Sequence, residues 1–203
     1  MSHSPALDSP VMKLISDNID GAIILDVANG LGNWGYQIRT KKKGNPIVIG
    51  IDIWTPYVEK VNQMNIYDEL IICDVRNPPL RSRSIDIVIA CEILEHISLD
   101  ETDRLLNELE SLHRNIIILT TPLGFYEQGI VEDNPYEQHI SGWSEKELKE
   151  RNYKTKIVYR NKLPIDLQFL LNLRRIAIKW LLGMTSTNHL IIAWKKFEMR
   201  AAN

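Results

Sequence analysis

The chain has 203 residues, of which 44% are hydrophobic and 25% are charged, and its formal net charge at pH 7 is -2. This composition is typical of a soluble globular protein and excludes a collagen-like, disordered or disulfide-rich chain. The length is sufficient for one α/β domain with a sizeable core and short for two, so we expect a single domain over residues 1–203.

The charge is unevenly divided along the chain. Residues 1–144 hold 11 Lys and Arg against 21 Asp and Glu, whereas residues 145–203 hold 13 against 5. The acidic N-terminal part suits a cationic small ligand. The basic C-terminal part suits an anionic substrate, a nucleic acid or a membrane surface. A solvated surface without a charged partner explains the division equally well.

Neither the cysteines nor the apolar segments indicate a secreted or membrane protein. Cys73 and Cys91 each lie in or at the end of an apolar run, which is typical of small core residues rather than a disulfide or metal pair. The first ten residues contain no apolar signal region, and no apolar stretch approaches the roughly 20 residues needed to span a bilayer. We therefore expect a cytoplasmic protein.

Aliphatic runs alternate with helical patterns along most of the chain, which predicts β-α-β units and a mainly parallel sheet. A leading helix is expected around residues 11–19, with Gly21 ending it before the first strand. Capping boxes predict the starts of two later helices, at Ser98 with Glu101 and at Ser144 with Glu147. The predicted strands are residues 23–27, 47–53, 69–73, 85–91, 116–120, 154–159 and 190–195.

Two segments exceed what this pattern needs. Residues 122–143 are rich in Gly, Asn, Tyr and Trp without a regular period, which predicts a long functional loop. Residues 164–182 predict an inserted helix with one polar stripe and a wide apolar face. That helix would pack on the sheet or on a second subunit, cover the substrate, or lie on a membrane surface as a peripheral contact.

Acidic residues lie near the ends of the predicted strands or just after them, where a ligand is expected. In open parallel sheets ligands bind outside the carboxyl ends of the strands. Each of these acids alone is most simply read as a helix cap or a solvated group, but together at one edge they indicate a binding site. They are Asp26, Asp52, Asp74, Glu92 and Glu95.

The glycine-rich turn after the first strand indicates a nucleotide-type cofactor. Gly30 and Gly32 leave room for a ligand against the backbone, and with Gly35 and Asp52 they satisfy a dinucleotide fingerprint that predicts NAD. A pyrophosphate at this turn would, however, lie near Asp26 and Glu92 without a nearby Arg or Lys to offset them. S-adenosylmethionine carries a sulfonium and no phosphate, so the same acids favour it.

At this point the sequence resembles the class I, seven-stranded S-adenosylmethionine-dependent methyltransferases, especially those that act on small molecules. The resemblance runs from about residue 23 to 148. It implies a doubly wound α/β sheet of seven mainly parallel strands in the order 3-2-1-4-5-7-6, with an antiparallel last strand and helices on both faces. The matching segments are residues 26–32, 50–53, 73–75 and 84–97.

The same resemblance implies the cofactor contacts. Asp26 and the backbone at Gly30 and Gly32 would lie against the methionine portion, which Cys91 and Glu92 would close. Asp52 would accept hydrogen bonds from the ribose. Ala28 stands where the family usually has its first glycine, and binding is expected to survive this smallest of intrusions. The adenine would be held by Ile53, Asp74 and Val75.

The acceptor side is less defined, because methyl transfer from a sulfonium mainly requires placement and uses a base only when the acceptor arrives protonated. His139, in the long loop, is the candidate base or substrate ligand, although a histidine that holds the loop by hydrogen bonds fits as well. His96 is expected to be structural. Tyr126, Tyr136 and Trp143 are expected to line the acceptor pocket with His139. No Cys/His cluster has ligand spacing, so no metal is expected.

These observations predict a methyltransferase for a small-molecule acceptor, with an anionic or lipid-like acceptor among the candidates. A non-catalytic S-adenosylmethionine-binding or regulatory module remains an alternative, as does an RNA or protein methyltransferase. Residues 91–94 lack the D/N-P-P-Y/F motif that amino-group methyltransferases of nucleic acids commonly place there, which disfavours that substrate class. The protein is expected to be a monomer or a homodimer.

Overall fold

A computed structural model of the chain describes residues 4–159 and 189–197. The predicted helix over residues 164–182 lies outside the described residues. Among the described residues, none of the helices combines the length and the apolar character needed to cross a membrane.

The described residues form a seven-stranded sheet, whose order is β3-β2-β1-β4-β5-β7-β6. Neighbouring strands from β3 to β5 are parallel, and β7 runs antiparallel to both β5 and β6. The predicted order and the antiparallel last strand are therefore confirmed. The strands are β1 (Ile23–Val27), β2 (Ile47–Asp52), β3 (Glu69–Ile72), β4 (Ile85–Cys91), β5 (His113–Pro122), β6 (Lys154–Tyr159) and β7 (His189–Lys196).

Helices connect the strands and cover the sheet. They are α1 (Asp8–Met12), α2 (Asn33–Lys41), α3 (Thr55–Asn62), α4 (Leu99–Leu112) and α5 (Glu145–Glu150), with 3-10 turns at Pro5–Leu7, Leu94–His96 and Pro135–Glu137. The Ser144 capping box forms as predicted. At Ser98 the cap is not formed through the side chain, since its hydroxyl instead bonds to the Glu101 carboxylate at 3.2 Å.

Side chains alternate between two apolar clusters, one on each face of the sheet. Leu25 belongs to the cluster that contains Leu105 and Leu109 of α4, while its neighbour Ile24 belongs to the cluster that contains Trp34 of α2. This alternation follows from the two-residue period of a strand buried on both faces. The predicted helices on both faces are confirmed by this packing.

The leading helix differs from its prediction. It spans Asp8–Met12 rather than residues 11–19, so Gly21 does not end it. Ile15 and Ile19 are nevertheless buried in the core, and the Ile19 amide donates to the Lys43 carbonyl at 2.9 Å. An irregular segment thus buries the apolar residues whose spacing indicated a helix.

Candidate functional site

A pocket of about 270 Å³ opens at the carboxyl edge of the parallel strands. The turns after β1, β2, β3 and β4 form its sides, and residues 134–138 and 140 of the long loop lie across it. This is the position at which open α/β sheets bind ligands. Of the sequence-predicted cofactor residues, those that line it are Ala28, Asp52, Ile53, Asp74 and Val75.

The glycine-rich turn is joined to the end of β2 by hydrogen bonds. The Asn29 amide donates to the Ile51 carbonyl at 3.0 Å, and the Gly30 amide donates to Asp52 Oδ2 at 2.9 Å. Gly32 has a left-handed φ of 79°, which glycine adopts at little cost, and it immediately precedes α2. The sequence therefore places the turn beside the acid that closes β2.

Asp52 receives two backbone donors. Besides Gly30, the Trp54 amide donates to Oδ1 at 2.8 Å. The side chain is largely buried, and this burial raises the pKa of the carboxyl despite the two hydrogen bonds. The two amides fix the orientation of the Asp52 side chain, which forms part of the pocket wall.

Ala28 lines the pocket in a conformation that glycine would adopt more easily. Its φ is 54°, in the left-handed region that a side chain with a Cβ disfavours. Alanine at this position, where the family usually has glycine, therefore carries a backbone cost that glycine would not.

Asp26 lies beneath the turn and does not line the pocket. Its carboxylate is fully buried and accepts hydrogen bonds from the Gly35 amide at 3.2 Å and from the Tyr67 hydroxyl at 2.5 Å. Burial raises the pKa of Asp26 to about 7, against the opposing effect of the Tyr67 hydrogen bond. Burial and the Asp26 charge also raise the pKa of the Tyr67 phenol. Asp26 thus supports the turn from inside.

The third glycine of the fingerprint makes room for this tyrosine. A Cβ on Gly35 would stand 2.5 Å from Cζ of Tyr67, a separation that real Cβ atoms essentially never show. Gly35 therefore allows α2 to pack closely against Tyr67, in the segment before β3. Tyr67 was not predicted from the sequence, because its contact with Asp26 depends on the tertiary structure.

Asp74 forms an ion pair with Arg76 in the pocket. The Arg76 Nε lies 2.9 Å from Asp74 Oδ1, and the guanidinium also bonds to Glu101 at the first turn of α4. Hydrogen bonds from Arg76 lower the pKa of the Asp74 carboxyl. Arg76 and Glu101 were not predicted as pocket residues from the sequence.

Cys91 and Glu92, at the end of β4, are both buried, and neither lines the pocket. Burial raises the pKa of the Cys91 thiol. Glu92 has a left-handed φ of 58°, and its amide donates to the Thr120 carbonyl at 2.8 Å. A non-glycine residue held in this conformation at a strand end indicates a constrained position.

The long loop contributes Tyr136 to the pocket, where its ring meets Trp54 edge-on at 6.3 Å. Trp143 lies instead in the apolar core, and its indole N–H donates to the Leu94 carbonyl at 3.2 Å. Tyr126 does not line the pocket, and its carbonyl lies 2.6 Å from Nδ1 of His139. The four predicted acceptor residues are thus not gathered on one wall.

His139 is buried beside His96. Their rings meet edge-on with centroids 4.7 Å apart, and His96 lines the pocket while His139 does not. Burial and the neighbouring His139 lower the pKa of His96 to about 4. Glu95 completes this group of three potential ligating side chains.

Glu137 is a buried acid of the pocket that was not predicted from the sequence. Burial and the nearby Glu137 charge raise the pKa of Tyr57 to about 12. The described residues thus place acids on several sides of the pocket, together with Arg76, whose charge is already paired with two carboxylates. Such a site can receive a ligand that carries hydroxyl and amino donors and a positive centre.

A family model described as a methyltransferase domain matches residues 24–115. This segment contains β1 to β4, the glycine-rich turn and α4. No curated protein matches the chain.

Solved structures share the fold at low identity. An S-adenosylmethionine-dependent methyltransferase from Archaeoglobus fulgidus is 14% identical with a TM-score of 0.61, over 96% of this chain and 95% of that one. A magnesium protoporphyrin IX methyltransferase from Synechocystis with bound S-adenosylmethionine is 17% identical with a TM-score of 0.60, over 97% of this chain and 80% of that one.

A third structure is a phosphoethanolamine N-methyltransferase from Haemonchus contortus, in complex with phosphomonomethylethanolamine and S-adenosylhomocysteine. It is 15% identical with a TM-score of 0.60, over 93% of this chain. This chain spans about half of it, 51%.

Proposed function

Because the chain carries a methyltransferase domain at residues 24–115 on the seven-stranded class I fold, we propose that it transfers a methyl group from S-adenosylmethionine to a small-molecule acceptor. The observation that carries this proposal is the acidic pocket at the carboxyl edge of β1 to β4, beside the glycine-rich turn. S-adenosylmethionine supplies an electrophilic methyl carbon activated by its sulfonium. The residues of this chain bind the cofactor, orient the acceptor toward its methyl group and enclose both.

The nucleoside half of the cofactor fits the part of the pocket after β2 and β3. Asp52 already accepts from two amides, and its remaining lone pairs accept from the ribose hydroxyls. Ile53 packs on the adenine. Asp74 accepts from the adenine amino group while it also holds Arg76, and the Val75 amide meets a ring nitrogen. This division agrees with the position of these four residues on the pocket wall.

The methionine half lies along the turn of residues 28–32. Asp26 holds that turn through Gly35 and Tyr67, so its effect on the cofactor is through the backbone that it positions. Cys91, the last residue of β4, and the following Glu92 are buried and do not line the pocket, so we assign them a role behind its wall at the methionine end. The acids of the pocket favour the sulfonium and disfavour a pyrophosphate.

The acceptor side is formed by the long loop. Residues 134–138 and 140 lie across the pocket, which limits the space beside the cofactor to a molecule of modest size. Tyr136 offers an exposed aromatic face, and His139 and Tyr126 support the loop behind it. The magnesium protoporphyrin and phosphoethanolamine enzymes combine this fold with small acceptors, which supports the same acceptor class here. Placement of the acceptor in line with the methyl group supplies roughly 7–11 kcal/mol of the barrier reduction.

Calorimetric titration tests the cofactor. We expect S-adenosylhomocysteine to bind with one equivalent and NAD to give no heat. Binding of NAD without binding of S-adenosylhomocysteine would overturn the proposal.

Turnover tests the acceptor. The protein is incubated with S-adenosylmethionine carrying an isotope-labelled methyl group and with a filtered small-molecule extract, and label is followed by mass spectrometry together with S-adenosylhomocysteine. Label in a small molecule supports the proposal. Cofactor binding with label only in added RNA or protein would reject the acceptor class and keep the cofactor.

A further inference from the structure

We propose that Glu95, His96 and His139 form a binding site for a divalent transition-metal cation beside the pocket. Each of the three offers one ligand atom, and these atoms all lie within 4.8 Å of one another. Two imidazoles and one carboxylate at such separations are a common donor set for zinc, iron, cobalt or manganese. The proposal is independent of the proposed methyl transfer.

Backbone carbonyls orient both imidazoles. Nδ1 of His96 lies 3.1 Å from the Gln138 carbonyl, and Nδ1 of His139 lies 2.6 Å from the Tyr126 carbonyl. A carbonyl oxygen only accepts, so each Nδ1 is the nitrogen that carries hydrogen. In the neutral rings Nε2 is then the coordinating nitrogen. Histidine ligands of metals are fixed in this way by a hydrogen bond from the other ring nitrogen.

The backbone also holds the three residues in place. The amides of Ile140 and Ser141 donate to the Glu95 carbonyl at 2.9 and 3.1 Å, which joins the loop to the turn Leu94–His96. The Ser141 hydroxyl donates to the Leu94 carbonyl at 3.0 Å. His139 therefore stays beside Glu95 and His96 although it lies far along the chain. A site held by backbone contacts loses little entropy when a cation binds.

The composition of the site favours particular cations. Calcium and magnesium prefer oxygen ligands, and this group supplies two nitrogens. Three protein ligands leave at least one coordination position for water or for a bound molecule. Because His96 lines the pocket, the cation site adjoins it, and an oxygen or nitrogen of a molecule in the pocket can supply the remaining ligand.

Cobalt(II) is the probe, because its visible absorption reports the ligands. Protein freed of metal with a chelator is titrated with cobalt chloride, by absorption and by calorimetry. We expect one equivalent to bind with d–d bands of a nitrogen- and oxygen-ligated ion, and zinc to displace it. Absence of saturable binding by both methods would overturn the proposal.

Substitutions assign the ligands. In His139→Asn and His96→Asn the amide can still donate to the carbonyl that Nδ1 contacts, while the coordinating Nε2 is removed. We expect each variant, and Glu95→Gln, to bind cobalt at least tenfold more weakly. Wild-type affinity in both histidine variants would show that the cation binds elsewhere and would refute the site.

His113→Asn is the matched control. His113 is also buried, and its Nδ1 lies 2.8 Å from the Glu110 carbonyl, at the opposite end of β5 from the pocket. We expect unchanged cobalt affinity in this variant. Thermal denaturation in chelator shows whether each variant folds. A folded His139→Asn that binds S-adenosylhomocysteine but not cobalt supports the metal site whatever the outcome of the turnover experiment.

Discussion

The Tyr67 hydroxyl donates a 2.5 Å hydrogen bond to Oδ2 of Asp26, the fully buried acid near the end of the first strand. Asp26 Oδ2 also accepts from the Gly35 amide, so this one oxygen joins β1, α2 and the segment before β3. The glycine-rich turn therefore depends on a tyrosine that is distant in sequence.

Tyr67→Phe tests this dependence. The change leaves the buried carboxyl group of Asp26 with one donor fewer, and a lost partner of this kind costs about 1–3 kcal/mol of the free energy of unfolding. Urea denaturation measures the loss. Tyr36→Phe, at an exposed tyrosine of α2, should lie within about 0.5 kcal/mol of wild type. Equal stability of the two variants would contradict the assigned contact.

Asp26→Asn tests the raised pKa of the buried acid. The folded chain holds the Asp26 proton up to about pH 7, whereas the same carboxyl in an unfolded chain has its ordinary pKa of 3.8. The unfolded state therefore binds fewer protons in this window, and the stability of the wild type falls as the pH rises through it and then levels off. Asn does not titrate. The free energy of unfolding of Asp26→Asn minus that of the wild type should increase from about pH 5 to about pH 7 and change little above. A difference that stays constant over this range would contradict the raised pKa.

Gly35→Ala places a Cβ against the Tyr67 ring. That Cβ would be 2.5 Å from Cζ, so α2 or the ring must move. Overpacking of this kind costs about 1–3 kcal/mol in the free energy of unfolding. Gly129→Ala is the control, because a Cβ there meets nothing within 4 Å. If both variants unfold at the same urea concentration, the close contact is not present in solution.

Ala28→Gly should stabilise the protein. Ala28 has a φ of 54°, and relief of the left-handed cost exceeds the extra entropy that glycine loses, for a net gain of about 1 kcal/mol. For a chain of this length that gain raises Tm by about 2–4 °C. Differential scanning calorimetry of both proteins measures this shift. A lower Tm in the variant would show that packing of the Ala28 methyl group stabilises the protein by more than its backbone conformation costs.

Asp52→Ala should weaken S-adenosylhomocysteine binding by about 1–3 kcal/mol, because the ribose hydroxyls lose their acceptor. The amides of Gly30 and Trp54 lose the same carboxylate, so thermal denaturation is measured alongside. Glu59→Ala, at an exposed acid of α3, is the control. A folded Asp52→Ala with wild-type affinity would refute the ribose assignment.

The sequence predicted most of the sheet, because a strand that is buried on both faces consists of a continuous run of aliphatic residues. The runs at 23–27, 85–91 and 154–159 coincide with β1, β4 and β6. β5 is longer than its run at both ends, because the polar residues 113–115 precede the run and Thr121 and Pro122 continue the strand after it. The strand order confirms the fold class, and the methyltransferase domain model that matches residues 24–115 agrees with the resemblance over that segment.

The site was predicted in part, for a physical reason. Residues at or just after the end of a strand, such as Asp52 and Asp74, reach the pocket because the topology carries them there. Contacts between distant segments have no local pattern. Nothing near Glu101 shows that Arg76 will bind its carboxylate, and nothing near Trp143 shows that its indole N–H bonds to the Leu94 carbonyl.

The long loop is fastened near its end, where Ser141 and Trp143 both bond to the Leu94 carbonyl. Residues 129–133 lie before these anchors and are largely exposed. Substitutions or insertions at residues 129–133 can therefore accumulate without displacing residues 134–138 and 140, which cover the pocket.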